Sequence, residues 1–268
     1  MIALLDADIV AFRCAATAED NDEWIAVART NELVEQILSD TKADMYKLFL
    51  TGPWNFRYEI YPQYKANRTR PKPKHLEACR QFLIKQWGAV VCEGHEADDA
   101  LGMEQSITVN DDEDGCAFQG LIPITYNSII CSIDKDLKQV PGRHYNFVKK
   151  EFDEVSPIQG LRSFYMSLLV GDPADNIRGV PGIGKVKAGR LLEGAMSEEE
   201  LFNTCRATYN DDAFMELNGK LLWIWRTEND IWQFNKIKNM LPDQEVALES
   251  MQPTEGETTL FTELGITK

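Results

Sequence analysis

The chain has 268 residues, 44% of them apolar and 26% charged, the composition of an ordinary globular protein with one large core, or a core and a smaller lobe. No apolar run approaches the roughly 18 residues that cross a bilayer, and Met1-Ile-Ala-Leu-Leu-Asp6 lacks the basic region of a secretory signal, so no membrane association is expected and the cytoplasm is the expected compartment. The net charge of −15 argues against a polyanionic partner, but Arg57 to Lys74 holds six basic residues and one acid, leaving −20 elsewhere, and Arg178 to Arg190 holds four basic residues and no acid. Two local basic stretches on an acidic chain can form one binding track.

Ile2-Ala-Leu-Leu-Asp6-Ala-Asp8 is a short apolar run closing on acids, the pattern of a buried parallel strand whose C-terminal end carries carboxylates. In open α/β sheets that end is where ligands bind. Asp6 is the inward-facing candidate, and Asp8 a supporting group or a cap. A helix is expected over residues 23–39, with Trp24, Val27, Leu33, Val34, Ile37 and Leu38 as core candidates, and Met45 to Thr51 reads as the second strand.

From Asn55 to Lys74, Phe56, Tyr58, Tyr61 and Tyr64 interleave with Arg57, Lys65, Arg68, Arg70, Lys72 and Lys74. Pro62, Pro71 and Pro73 argue against a long regular element. Cations hold phosphates while rings stack on unpaired bases, so the stretch suits single-stranded or frayed nucleic acid; a solvated loop anchored by aromatics is the alternative. A helix over residues 75–87, with Leu76, Phe82, Leu83 and Trp87 at core-like spacing, and a strand over Ala89 to Cys92 then lead into Gly94-His-Glu-Ala-Asp-Asp-Ala-Leu101.

If residues 95–106 are helical, Glu96 and Asp99 share a face and Asp98 stands one step round. Three like charges in one turn are either a solvated acidic turn or a site that needs a cation, because the helix N-terminus contributes only about half a positive charge. His95 is expected to cap or to pack. The run Asp111-Asp-Glu-Asp114 reads as a solvated loop. Ser128-Ile-Ile-Cys-Ser-Ile-Asp134-Lys-Asp136 is another buried strand ending in acids, with Asp134 and Asp136 on one side if it stays extended.

A short strand near residues 145–148 and a helix over residues 157–170 precede Gly171-Asp172-Pro-Ala-Asp175. Gly179, Gly182 and Gly184 then lead to Lys185 and Lys187 at a helix start, which is either a tight connection or a cradle for phosphate. Residues 197–240 are expected to be helical, with Trp223, Trp225 and Trp232 in the core. From Pro242 onward the chain holds six acids and one lysine, an acidic tail that is docked or partly disordered. Cys14, Cys79, Cys92, Cys116, Cys131 and Cys205 have no zinc-like spacing and read as reduced, mostly buried thiols, and His75, His95 and His144 offer no triad.

Taken in order, Leu4-Leu-Asp6, Tyr64-Lys-Ala-Asn-Arg68, His95-Glu-Ala-Asp-Asp99, Ser132-Ile-Asp-Lys-Asp136, Gly171-Asp-Pro-Ala-Asp-Asn176 and Gly179-Val-Pro-Gly-Ile-Gly-Lys185 resemble the motifs of the 5′ nuclease superfamily. These are the flap endonucleases and 5′→3′ exonucleases, and the bacteriophage members are the nearest in appearance. The resemblance covers roughly residues 1–195 and implies an α/β, PIN-like fold with a mostly parallel sheet flanked by helices. Residues 1–170 would form the catalytic core, including an arch at about 55–87, residues 171–241 a helix-three-turn-helix and helical region, and residues 242–268 the tail.

The resemblance further implies that Asp6, Glu96, Asp98, Asp99, Asp134, Asp136, Asp172 and Asp175 surround two divalent ions, Mg²⁺ or Mn²⁺ as all-oxygen ligands favour. Two such ions about 4 Å apart activate water and stabilise the leaving 3′ oxygen. Lys65 and Arg68 would lie at the base of a helical arch and offset charge on the scissile phosphate, Tyr61 and Tyr64 would stack on bases, and Arg70 would add a phosphate contact. Gly179 to Lys187 would bind duplex phosphates, with K⁺ held by backbone carbonyls.

The expected activity is structure-specific hydrolysis at DNA 5′ ends, flaps or nicks, with RNA–DNA hybrids as further substrates. The expected setting is phage DNA replication, primer removal or DNA degradation by a monomer alongside replication proteins. A catalytically silent DNA-junction binder and a PIN-like ribonuclease are the alternatives. One departure stands out: many relatives carry an acid after the second strand, where this chain has Leu50-Thr51-Gly52. Residues 107–127 look like an insertion.

Overall fold

A strand with no polar side chain to satisfy belongs in the middle of a sheet. In the computed structural model, which describes residues 1–107, 127–235 and 237, the strands Ile2–Asp6 (β1), Met45–Asn55 (β2), Val90–Gly94 (β3), Ser128–Cys131 (β4), Gly142–Asn146 (β5) and Glu151–Val155 (β6) form one sheet. Its order is β3-β2-β1-β4-β5-β6, parallel throughout except for the antiparallel β5–β6 edge. The expected mostly parallel α/β architecture is therefore present. The chain goes to β2 on one side of β1 and to β4 on the other, so the C-terminal ends of β1 and β4 meet at a topological switch point, where such sheets bind ligands.

Side chains alternate across the sheet with period two. Ala3, Leu5, Leu48, Leu50, Ile129 and Cys131 face Ala7–Thr17 (α1), Glu23–Thr41 (α2) and, beyond the four-residue helix Arg57–Ile60 (α3), Leu76–Trp87 (α4). Leu4, Phe49 and Ile130 face the other way, onto Ala97–Ile107 (α5). Helix α1 has no counterpart in the sequence reading. The expected core residue Trp24 is 67% exposed, whereas Val34 and Ile37 are fully buried.

The second half begins with Pro157–Val170 (α6), set by a capping box in which Ser156 and Gln159 satisfy each other's backbone N–H and Pro157 opens the first turn. A hairpin of Gly171–Asp172 (β7) and Ile177–Arg178 (β8) follows, then Lys185–Leu191 (α7), Glu198–Tyr209 (α8) and Asp212–Leu222 (α9). The single helical stretch expected over residues 197–240 is broken. Asn210 takes a left-handed φ of 51° that ends α8, Asp211 caps α9, and from Trp223 the chain leaves helical geometry. Trp225 and Trp232 are buried as expected and Trp223 is half-buried.

Residues 61–75, expected to lie in a helical arch, carry no helix. They form an irregular strap, as Pro62, Pro71 and Pro73 dictate. One end is tied down by Lys65 N donating to the Asp175 carbonyl at 3.0 Å and Asn67 Nδ2 to the Pro173 carbonyl at 2.5 Å. The other is held by Lys74 N on Glu19 at 3.1 Å and His75 Nε2 on the Asn21 carbonyl at 2.9 Å.

Met1–Gln233 form one compact unit; in the second, Phe234–Lys268, the described residues 234, 235 and 237 are helical. The Asp111–Asp114 run, most of the 107–127 insertion, Cys116 and the acidic tail lie outside the described residues. The other five cysteines are buried free thiols. No helix among the described residues is long and apolar enough to cross a membrane.

Candidate active site

Sheet polarity brings four acids from three chain segments to one edge. Asp6 ends β1 and caps α1, its Oδ1 accepting from Ile9 N at 3.1 Å and its Oδ2 from Ser132 Oγ at 2.7 Å. Glu96 and Asp98 follow β3 at the start of α5, and Asp134 follows β4. These four, with Lys65 and Arg68, line one cleft of about 1030 Å³.

Burial pushes the Asp6 carboxyl up to about 7 against the opposing Ser132 and Ile9 hydrogen bonds, with Asp8 and Asp134 adding repulsion. Burial, then the charges of Asp6, Asp134 and Glu96, hold Asp98 well above the carboxylate range, with Lys65 opposing. Such mutual elevation marks negative charge in excess of its local compensation.

Lys65 bridges the acids. Its Nζ lies 2.5 Å from Glu96 Oε1 and 3.7 Å from Asp175 Oδ2. Arg68 pairs with Asp175 and reaches the Ala174 carbonyl at 3.3 Å. Asp175 thus joins the cluster through cations rather than as a cleft wall. Asp136 and Asp172 are also off that wall. The chain turns after Cys131 instead of staying extended, so Asp134 Oδ1 accepts from Asp136 N at 2.8 Å, and Asp172 caps its own turn through Ala174 N at 2.9 Å.

Two expectations are overturned by burial. Tyr64, expected to stack on bases, is only 3% exposed. Its ring packs with Ile177 and Leu221, and its hydroxyl lies 2.9 Å from Glu96 Oε2 and 3.1 Å from Asp175 Oδ2. It braces acids rather than presenting a face to a ligand. Tyr61 is half-buried against the same cluster, while the Tyr58 ring lines the cleft.

Asp99, expected to hold metal, is fully buried and bound on both oxygens by Arg57, with Nη1–Oδ2 at 2.6 Å and Nη2–Oδ1 at 2.8 Å. Glu96 N and Trp225 N donate to it as well, at 3.0 and 3.2 Å. Burial would raise this carboxyl, but the Arg57 charge and these hydrogen bonds together hold it below the usual value.

At the second basic stretch, Gly171 and Gly179 are glycine for packing, since a Cβ on either would stand 2.2 Å from backbone atoms across the junction. Gly182 and Gly184 border open space, and Lys185 and Lys187 are exposed, as Arg70 is on the strap. His95 packs, its ring stacked on Trp225 at 5.5 Å.

The sequence reading also missed a clamp at the end of β2. Asp8 pairs with Arg80 and accepts from Thr51 N at 2.7 Å, and Arg80 Nη2 donates to the Thr51 carbonyl at 2.7 Å. Thr51 Oγ1 in turn accepts from Ala97 N at 3.0 Å. A Cβ on Gly52 would stand 2.2 Å from the Cys92 carbonyl oxygen, so that position has no room for a side chain.

The described residues lining the cleft include no imidazole or thiolate, so its acid donors are oxygens, the chemistry of a hard divalent cation. Among the described residues no three His, Cys, Asp or Glu side chains converge closely enough to hold an ion between them.

Comparison with solved structures returns chains of the same fold. No protein-family model matches the chain. It is 28% identical over 217 residues to DNA polymerase I of Bacillus caldotenax, covering 71% of this chain and 23% of that protein. It is 28% identical over 190 residues to flap endonuclease Xni of Pseudoalteromonas translucida, covering 66% of this chain and 68% of that one. With a 5′-3′ exonuclease of Mycoplasma genitalium it shares 33% identity over 168 residues, 57% of this chain and 55% of that one. The chain thus spans about a quarter of the length of the polymerase relative.

Among solved structures, the bacteriophage T5 flap endonuclease in complex with DNA and metal ions superposes with a TM-score of 0.57 at 14% identity, covering 89% of this chain and 97% of that one. The T5 5′-exonuclease with bound zinc gives 0.59 at 15% identity, over 82% and 88% of the two chains. The chain is thus similar in sequence to proteins named as a 5′-3′ exonuclease, a flap endonuclease and DNA polymerase I, and it shares its fold with the T5 enzymes.

Proposed function

We propose that this chain is a divalent-metal-dependent 5′ nuclease that hydrolyses phosphodiester bonds at the 5′ ends, flaps or nicks of DNA. The observation that carries the proposal is the cleft itself, where Asp6, the Glu96–Asp98 turn and Asp134 arrive from three separate segments and face Lys65 and Arg68. Asp6, Glu96, Asp98 and Asp134 would hold Mg²⁺ or Mn²⁺, two ions in the fullest form of the proposal, with Asp136, Asp172 and Asp175 supporting them from outside the wall. A divalent cation bound there supplies Lewis-acid stabilisation of phosphoryl oxygens and lowers the pKa of water.

The chain's own residues do the rest. Lys65, already among carboxylates, turns its ammonium to charge developing on the scissile phosphate, and Arg68 does the same from the strap. Arg70 contacts the incoming strand, and Tyr58 offers the ring that Tyr64 cannot. Lys185 and Lys187, flanked by the open glycines 182 and 184, hold duplex phosphates in a helix-three-turn-helix, with K⁺ at its backbone carbonyls. Contacts to backbone rather than bases make recognition structural and salt-dependent. The substrates extend to RNA–DNA hybrids, and the setting is DNA replication, primer removal or degradation in a phage-type system, by a monomer working beside replication proteins.

A second reading, a DNA-junction binder without turnover, is favoured by one observation: no three carboxylates converge among the described residues. One assay separates the two. The protein is incubated with 5′-labelled flap, nicked and blunt DNA in Mg²⁺ and in chelator. The nuclease reading expects cleavage in Mg²⁺ alone, lowered at least about 10³-fold by Asp134→Asn with DNA affinity retained. Binding without cleavage in Mg²⁺ supports the junction binder, and cleavage that survives chelation refutes the metal mechanism.

A further inference from the structure

The most heavily bonded side chain near the cleft is one that never touches it. Arg57 is 3% exposed and does not line the cavity. Besides its two bonds to Asp99, its Nε donates to the Leu221 carbonyl at 2.9 Å and its Nη2 to the Trp223 carbonyl at 2.8 Å. Asp99 closes the circuit by accepting from Trp225 N and Glu96 N. One guanidinium thus joins the end of β2, the first turn of α5 and the backbone leaving α9, a segment more than 160 residues away in sequence. The rings repeat the connection, Phe56 stacking on Trp225 at 4.9 Å and Arg57 lying over Phe56 at 4.6 Å.

This assembly leads directly to Glu96. Arg57 N donates to Asn55 Oδ1 at 3.0 Å, and Asn55 Nδ2 donates to Glu96 Oε1 at 3.0 Å, the oxygen that Lys65 also holds. Arg57 Nη1 itself stands 3.9 Å from Glu96 Oε2. A bidentate fork of this kind fixes direction as well as charge, which a lysine cannot do.

We propose that Arg57 and Asp99 are a positioning pair for the nuclease site. Together they set the Glu96 carboxylate and the Lys65 ammonium on it, and they make the 221–225 crossing an integral part of the catalytic apparatus. Asp99 serves as the buried counter-ion of Arg57 and not as a metal ligand, although it stands beside Asp98. The proposal rests on the nuclease reading above. Turnover of the wild-type protein, with its Mn²⁺ affinity measured by calorimetry in the absence of DNA, tests that reading separately.

The test compares Arg57→Met, Asp99→Leu, their combination, Arg57→Lys and Asp99→Asn. Either apolar single variant strands a buried charge and lowers the melting temperature. The double variant removes both charges and is expected to recover most of that loss. Its kcat is expected to stay about 10- to 100-fold down, the usual effect of losing an outer partner of a ligand, with KM for DNA within about twofold because neither residue meets the substrate. Asp99→Asn is expected to keep its Mn²⁺ affinity within about threefold, whereas Asp98→Asn loosens it about tenfold or more.

Recovery of turnover together with stability in the double variant would reduce the pair to a structural role and overturn the proposal. So would a tenfold or greater loss of Mn²⁺ affinity in Asp99→Asn, about 1.4 kcal/mol, which would make Asp99 a ligand. Should the double variant fail to fold, Arg57→Lys decides, since it keeps the charge but loses the fork. Its kcat is expected to fall about tenfold, and wild-type turnover in the folded protein overturns the proposal.

Discussion

Lowering the pH should destabilise this protein through one histidine, by an amount that can be worked out. His144 on β5 is 5% exposed, and its Nε2–H donates to the Val140 carbonyl at 2.8 Å. Burial lowers its pKa from 6.5 to about 4, only partly offset by that hydrogen bond. Lys138 and Arg226 act with the burial, and Asp153 acts against it. The unfolded chain therefore takes up a proton that the folded chain refuses. The neutral ring's contribution is fully present above about pH 6.5 and is lost as the pH falls towards 4. The shift of about 2.5 units corresponds to roughly 3 kcal/mol at the limit, of which roughly 2 kcal/mol is lost by about pH 5.

Asp6 and Asp98 act in the opposite sense, because their raised values favour the folded state as protons are taken up. The measurement is therefore a difference. Urea unfolding of the wild type and of His144→Gln is followed from about pH 7.5 to 4.5 in chelator, and the gap between the two curves should close by roughly 2 to 3 kcal/mol towards acid. Parallel loss of stability in the two proteins would refute a buried neutral imidazole at this position.

Tyr64→Phe removes a hydroxyl shared by the buried Glu96 and the half-buried Asp175. It should lower stability by about 1 to 3 kcal/mol in urea unfolding and reduce kcat more than it raises KM. A large KM effect with unchanged kcat would restore a base-stacking role. Lys185→Ala should weaken duplex binding across unrelated sequences and lower the slope of log K against log salt by about 1, measured by fluorescence anisotropy; an unchanged slope would remove it from the phosphate track.

Much of this fold can be read from local pattern. Leu4, Leu5 and Ile130 belong to runs too short for a helix and too apolar for a surface, so β1 and β4 follow from residue type alone. The sheet's polarity then sends Asp6, Glu96, Asp98 and Asp134 to one edge. Helix α1 was not legible, because Ala7, Ala11 and Ala15 are small enough to be buried against the sheet without an apolar stripe long enough to read. Adjacent acids were also beyond reach: which of Asp98 and Asp99 faces the cleft depends on where Arg57 lies. The fate of Arg57 depends on carbonyls at Leu221 and Trp223. An arginine among tyrosines and lysines has the composition of a phosphate contact, and only a partner remote in sequence shows that it is enclosed. Tyr64 was misjudged for the same reason.

The crowding at Gly52 reaches beyond its own loop. Where the second and third strands of the sheet draw together, a main-chain oxygen already fills the space that any side chain would need. Supplying a further carboxylate at that point would mean prising the two strands apart, and Thr51 beside it is engaged with both the first and the fifth helix. The spacing of the sheet thus keeps this one position bare, and a redesign for tighter cation binding would have to start from another place on the rim.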